Sequence, residues 1–280
     1  MLVKRNAAKG VSVIIPWCNR PELKISLLEN APVFQRTDAE VIVVNCGGDV
    51  KLSHQLLREV RIRGLKLVHV PSPHFNKSLA LNAGFLVSRE KVVQFLDADI
   101  ILDKNYFNEA LCYLPRKAYV TLARLSEHGS ESRASIDLGI AEIGQTITIV
   151  RSDRTIHVET NRLRYEDGSR SAPGIVMFHR KSFIGVDGMN SDLEGWGFED
   201  IDLLIRLQLA TGRQPSQAGH GYHIPHDDKL RFFRGKTPQH NESINSAKCL
   251  FNYRSGHFMG TYRDDIKTLR KSLTVSCVYK

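Results

Sequence analysis

Two carboxylates within three residues, Asp97-Ala98-Asp99, close the apolar run Val92 to Leu96. If that run is a strand, both acids emerge on the turn that ends it. Oxygen ligands so placed suit a hard divalent cation such as Mg²⁺ or Mn²⁺, and a diphosphate bridged to such an ion is a better leaving group. A short acidic turn is also an ordinary cap, so the tripeptide alone leaves both roles open. Further along, His223-Ile224-Pro225-His226 places two imidazoles three residues apart, with a third at His220. Pro225 argues against a helix, so a loop or strand end must bring the rings together. Imidazole suits Mn²⁺ better than Mg²⁺, and carboxylate and imidazole clusters from distant parts of a chain are what a mixed metal site needs.

A third cluster is Gly195-Trp196-Gly197-Phe198-Glu199-Asp200-Ile201-Asp202. Acids in the first turn of a helix are favoured electrostatically. The glycines would also let backbone approach a ligand, and an exposed Trp196 would offer a flat face to a pyranose ring. A carboxylate beside that face could take a proton from a hydroxyl as general base. The fourth cluster is a pair of early loops, Pro16-Trp17-Cys18-Asn19-Arg20 and Asn45-Cys46-Gly47-Gly48-Asp49. Trp17 could pack on a base or ribose, Arg20 could reach a phosphate, and Asn45 or Asp49 could bond a base or ribose. Ordinary turn chemistry accounts for Gly47-Gly48 equally well.

These groups need a scaffold. The β-branched runs Val11 to Ile15, Val41 to Val44, Leu65 to Val70 and Val92 to Leu96 alternate with helical spacing over Glu22 to Leu28, Leu52 to Val60 and Ser78 to Val87. This pattern predicts an α/β fold with a Rossmann-like, mostly parallel sheet flanked by helices, binding ligands at the strand carboxyl ends. Later come a helix near Tyr106 to Tyr113, a strand near Tyr119 to Ala123 and a polar insertion with hairpins over Ser126 to Ser171. Within it, Arg151 to Arg170 is expected to order over bound ligand as a lid. A buried strand at Gly174 to Phe178 and a helix over Phe198 to Leu209, capped by Gly212, follow. The expected units are 1–230 as the main domain, with a nucleotide-binding half of about 1–100 and a metal and acceptor half of about 101–230, and 231–280 as a basic extension.

At 280 residues and 42% hydrophobic content the chain can bury one substantial core. Its net charge of +9 favours anionic partners such as nucleotides, nucleic acid or acidic lipid. No RNA- or DNA-binding motif, dinucleotide fingerprint or P-loop is present, so nucleic acid is not expected and a metal must do more of the phosphate binding. The five cysteines show no CxxC pair, which suits a reducing compartment. No apolar run long enough to span a bilayer occurs, and a cytoplasmic protein is expected. The segment Arg231-Phe232-Phe233-Arg234 gives it a means of touching an anionic membrane from the inner face.

Taken in order, the clusters resemble the β-1,4-galactosyltransferases and their bacterial relatives of the family-two-like GT-A class. Val11 to Arg20 is similar to "IIPFRNR", Phe75 to Phe85 to "FNRAKLLNVGF", Phe95 to Asp99 to the metal-binding "DVD", Gly195 to Asp202 to "GWGGEDDD", and His223 to His226 to "MIRH". The likeness spans roughly residues 11 to 240. It implies a GT-A fold with a smaller acceptor-side region. It also implies Mn²⁺, with Mg²⁺ as the substitute, on Asp99, His223 and His226. Asp97 and Trp196 would contact the donor together with Pro16, Trp17, Arg20, Asn45, Asp49, Asn76 and Lys77. Asp200 would be the base, and Glu199 would orient the sugar or acceptor. The implied reaction is inverting transfer from UDP-Gal or UDP-GalNAc to a glycan acceptor. Retaining transfer of the polypeptide-GalNAc-transferase kind and a non-catalytic sugar- or nucleotide-binding module are the competing readings. Cys18 stands where the family has arginine, Phe198 where it has glycine and His223 where it has methionine. Ala172, where the family crowds the donor's 2-position with tyrosine, leaves room for an N-acetyl group.

Overall fold

The computed structural model describes residues 10–129, 139–226 and 237–278. The Arg231 to Arg234 segment expected to touch a membrane lies outside them. Four β-branched runs form parallel strands: β1 (Val11–Trp17), β2 (Glu40–Cys46), β3 (Lys66–Val70) and β4 (Val92–Phe95). Crossover helices α1 (Glu22–Arg36), α2 (Val50–Leu57) and α3 (Lys77–Val87) connect them. Strand alternation separates two cores. Val13 and Ile15 pack with Leu23, Leu27 and Phe34 of α1 on one face, while Ile14, Ile42 and Val44 meet Ala80, Leu81 and Ala83 of α3 on the other. Gly84 lets α3 lie this close, because a Cβ there would stand 2.3 Å from the Ile14 side chain.

Beyond β4 the strand directions become mixed. In chain order follow β5 (Ile100–Leu102), α4 (Tyr106–Tyr113), β6 (Val120–Glu127), the hairpin β7 (Glu142–Val150) and β8 (Thr155–Arg164), β9 (Arg170–His179), α5 (Arg180–Gly185), α6 (Glu199–Thr211) and β10 (Ser216–His223). The chain continues through α7 (Pro238–Arg254) and α8 (Tyr262–Ser272) to β11 (Thr274–Cys277). The spatial order is β11-β3-β2-β1-β4-β9-β6-β10-β5, with β8 joining through β9. β9 runs antiparallel to both β4 and β6, and β10 runs parallel to β6 but antiparallel to β5.

The expected lid, Arg151 to Arg170, is β8 with its flanking turns, and β8 pairs with β7 along its length. Over its described residues, the stretch read as an extension from 231 packs onto the sheet: β11 pairs with β3, and Leu269 of α8 joins the core. No helix among the described residues is long and apolar enough to cross a membrane.

Candidate active site

Pairing of β5 with β10 brings the three metal-ligand candidates together. His223 lies opposite Ile100, and the Ile224 N–H donates to the Asp99 carbonyl at 2.8 Å, so the turn ending the Asp97-Ala98-Asp99 run abuts the end of β10. Asp99 Oδ2 then stands 2.9 Å from His226 Nε2 and 3.8 Å from His223 Nε2, with 3.3 Å between the two imidazole nitrogens. Ligands about 2.1 Å from one ion lie roughly 3–3.5 Å apart, so one carboxylate and two imidazoles fit a shared divalent cation. The parallel pairing of β6 with β10 sets Glu127 beside His223, whose Nδ1 is 2.7 Å from the Glu127 carboxylate, turning Nε2 toward Asp99 and His226. Burial disfavours the Asp99 carboxylate, but the hydrogen bond with His226 and the positive neighbours His223 and Arg20 outweigh it and lower its pKa. His220 stands apart, bonded to Ser126 at 2.9 Å.

A second cluster centres on Lys77, the first residue of α3. Its ammonium lies 2.8 Å from Asp200, 3.0 Å from Asp97 and 3.8 Å from Glu199. Asn76 caps α3 by accepting from the Leu79 N–H at 2.9 Å and ties it to the Ser191 carbonyl at 2.8 Å. Burial works against the Lys77 charge, yet Asp200, Asp97 and Glu199 hold its pKa well above the usual lysine value. Burial, then the charge of Asp200, push Glu199 up to about 7 despite Lys77. Asp200 is also raised, by burial first and against the lowering effect of Lys77.

The Gly195 to Asp202 segment owes its shape to contacts within the protein. Gly195 and Gly197 have φ of +77° and +103°, and Cβ atoms there would stand 2.5 Å from Asn241 and 2.8 Å from Glu242. The glycines therefore seat α7 rather than a ligand. Asn241 donates to the Glu194 and Trp196 carbonyls, and Asn245 to those of Glu194 and Gly197. Trp196 is held on this loop with its residue 39% exposed. Phe198, standing where the family has glycine, has the glycine-like φ of +72° as the N-cap of α6. Asp202 turns inward: Arg206 donates to it at 2.7 and 2.9 Å, and the Tyr253 hydroxyl of α7 donates at 2.7 Å.

The early loops are partly committed to their own structure. Trp17 is 1% exposed, with its indole N–H donated to the Arg20 carbonyl, and this corrects the expectation that its ring meets a nucleotide. Asn45 is likewise 1% exposed; its amide donates to the Gly48 and Asp49 carbonyls and its oxygen accepts from the Gly48 N–H. Turn formation thus accounts for Asn45, and the expected base or ribose contact is corrected. Pro16 is buried within β1. Asp49 caps α2 through the Leu52 N–H and is exposed, while Arg20 reaches to 3.6 Å from Asp99.

Sequence reasoning missed Glu127, Gly174 and the asparagines of α7. Nothing near Glu127 marks it, because only strand register sets it beside His223. Gly174 lies in β9 against the second cluster, where a Cβ would stand 2.6 Å from Asp200 Oδ2 and 3.0 Å from Lys77 Nζ.

Comparison with known proteins bears on the fold and the family. S. aureus TarS shares the fold with a TM-score of 0.51 at 15% identity, over 77% of this chain and 60% of that one. The mannosyltransferase PcManGT from Pyrobaculum calidifontis, in complex with GDP-Man and Mn²⁺, gives 0.50 at 14%, over 93% and 75%. The architecture is that of a GT-A glycosyltransferase. The family model for glycosyl transferase family 2 matches residues 12–186, and the chain belongs to that family. A model described as the N-terminal domain of galactosyltransferase matches residues 154–227. β-1,4-Galactosyltransferase 4 of Mus musculus is 24% identical over 209 residues, 72% of this chain and 44% of that protein, so the chain spans less than half of its relative's length.

Proposed function

We propose that the protein transfers galactose or N-acetylgalactosamine from a UDP-sugar to a hydroxyl of a glycan acceptor, with Mn²⁺ and inversion at the anomeric carbon. The convergence of Asp99, His223 and His226, with ligand atoms all within 4.8 Å of one another, is the observation that supports it most. Those residues would hold the cation, Mn²⁺ rather than Mg²⁺ because two of the three are imidazoles. When bound, it would neutralise the leaving diphosphate. Residues up to about 100 would form the donor side and 101–230 the metal and acceptor side.

Asp200 serves as base in this reading. Its Oδ2 accepts from Lys77, and its other oxygen has no hydrogen-bond partner among the described residues. That oxygen takes the acceptor hydroxyl proton as the acceptor oxygen attacks the anomeric carbon from the face opposite UDP. The bond to the diphosphate breaks and UDP leaves with its electron pair. Lys77 fixes the base, Glu199 orients the sugar or acceptor, and Trp196 contacts the donor through its ring.

Asp200→Asn is expected to bind UDP with Mn²⁺ as the wild type does and to lose transfer by about 10²–10⁴-fold. Undiminished turnover rejects the base. Retention of anomeric configuration in the product, read by NMR, rejects inversion.

A further inference from the structure

A cavity of about 290 Å³ lies between β6, β9, β10, α6 and the β7–β8 hairpin, near the lower end of the size range of small-molecule sites. Of its lining residues the sequence singles out Ala172 alone. The hydroxyl groups of Thr121, Thr146, Ser171 and Ser216 line it, and none of them has a hydrogen-bond partner among the described residues. Ser171 is 7% exposed and its Oγ is sealed from water, which leaves a buried polar atom in need of a partner. Glu159, the only charged carboxylate of the lining, is already matched: Arg162 stands 3.2 Å away and the Gln217 amide donates to it at 2.9 Å. Leu204, Ala172 and two prolines supply apolar surface.

Uncommitted hydroxyls, a neutralised carboxylate and apolar flanks fit an uncharged ring bearing several hydroxyls. They do not fit a diphosphate, because no lysine or arginine lines the cavity. Its Ser216 end is also remote from the residues that would hold the cation of the donor diphosphate. Ser216 begins β10 and His223 ends it, about 20 Å apart at strand spacing. It is close to the base: Leu204 lies one helical turn, about 6 Å, beyond Asp200 on α6, and Ala172 lies two residues from Gly174, which packs on Asp200.

We propose that this cavity is a second saccharide subsite, taking an uncharged sugar unit of the acceptor beyond the one that reacts. The proposal rests on the reading of the site as a glycosyltransferase centre. The subsite depends on the hairpin, since Thr146 and Glu159 face each other across the β7–β8 pairing.

Saturation-transfer NMR tests it with the methyl glycosides of glucose, galactose, N-acetylglucosamine and N-acetylgalactosamine, in the presence of UDP and Mn²⁺. Thr146→Trp fills the mouth from an exposed strand position that accepts an aromatic residue. At least one glycoside is expected to bind the wild type, with affinity lost at least tenfold in T146W. Ser171→Ala, which removes one hydroxyl, is expected to weaken binding roughly three- to tenfold. UDP affinity should be unchanged in both variants. Absence of binding by all four glycosides overturns the subsite, as does binding that survives both substitutions. A T146W protein that loses UDP-sugar affinity while keeping glycoside affinity overturns it too, by assigning the cavity to the donor. Failure of the wild type to bind UDP in a Mn²⁺-linked manner instead rejects the glycosyltransferase reading, and glycoside binding at the cavity is scored separately from it.

Discussion

Adding one methyl group at Gly174 should displace Asp200, the base of the proposed reaction, and leave the Asp99, His223 and His226 cluster in place. The glycine is not in the left-handed region, so alanine suits its backbone and the effect is steric. An ideal Cβ would stand 2.6 Å from Asp200 Oδ2, where real contacts do not fall under 3.0 Å, so the carboxylate must retreat by at least 0.4 Å. Lys77, 3.0 Å from the same Cβ and 2.8 Å from Asp200, must shift with it. The surroundings offer little slack, since Glu199 and Asp202 beside Asp200 are 4% and 2% exposed. Overpacking of this kind costs about 1–3 kcal/mol of stability. Misplacing a reacting group by up to about 1 Å costs as much as 10²-fold in rate, so a loss of about 10- to 100-fold in kcat is expected. The assay is UDP release from UDP-galactose or UDP-N-acetylgalactosamine with acceptor, alongside Mn²⁺-dependent UDP binding by calorimetry, which should stay within about twofold. Gly185→Ala is the control, because its Cβ would meet nothing within 4 Å. If Gly174→Ala turns over within twofold of the wild type, the placement of Asp200 does not govern the reaction and the reasoning fails.

Further consequences are open to measurement. His226→Ala should abolish the Mn²⁺-linked part of UDP binding, because only Asp99 and His223 of the triad would remain; calorimetry with and without Mn²⁺ reads this, and a preserved metal effect moves the cation elsewhere. Arg206→Met strands the buried Asp202 carboxylate, and a stability loss of about 3–5 kcal/mol is expected in denaturant titration; a loss under about 1 kcal/mol would show that the pair is dispensable. Glu199, raised to about 7 mainly by burial, favours the folded state fully below its ordinary 4.5 and loses that contribution as pH rises through about 7. Glu199→Gln should therefore gain stability relative to the wild type across that window, by no more than ~3 kcal/mol, and a difference independent of pH would contradict the shift.

Much of the scaffold was legible because local pattern and burial coincide there. Val11 to Ile15 and Val41 to Val44 are apolar on both sides, as strands covered by helices on both faces must be, and both became interior parallel strands. Gly212 was readable as a helix end and takes φ of +65°. Past Asp99 the strand directions were not legible, since neither the antiparallel course of β9 nor the return of β10 to β5 leaves a local signature. At the site, the same limit shows at Trp17: sequence marks an aromatic residue at a strand end but not that its ring turns into the core.

The sequence by itself determined which functional groups are available and which elements carry them: carboxylates ending a strand, imidazoles around a proline, acids opening a helix. Their meeting was decided only in three dimensions. Asp99 reaches His223 because β5 and β10 pair in one register, and Lys77 joins Asp97 to Asp200 because α3 and α6 pack on the same face of the sheet beside a glycine. Local preferences act over a few residues, whereas register and helix packing are settled by burial of the whole core, so the shared site is a property of the fold as a unit.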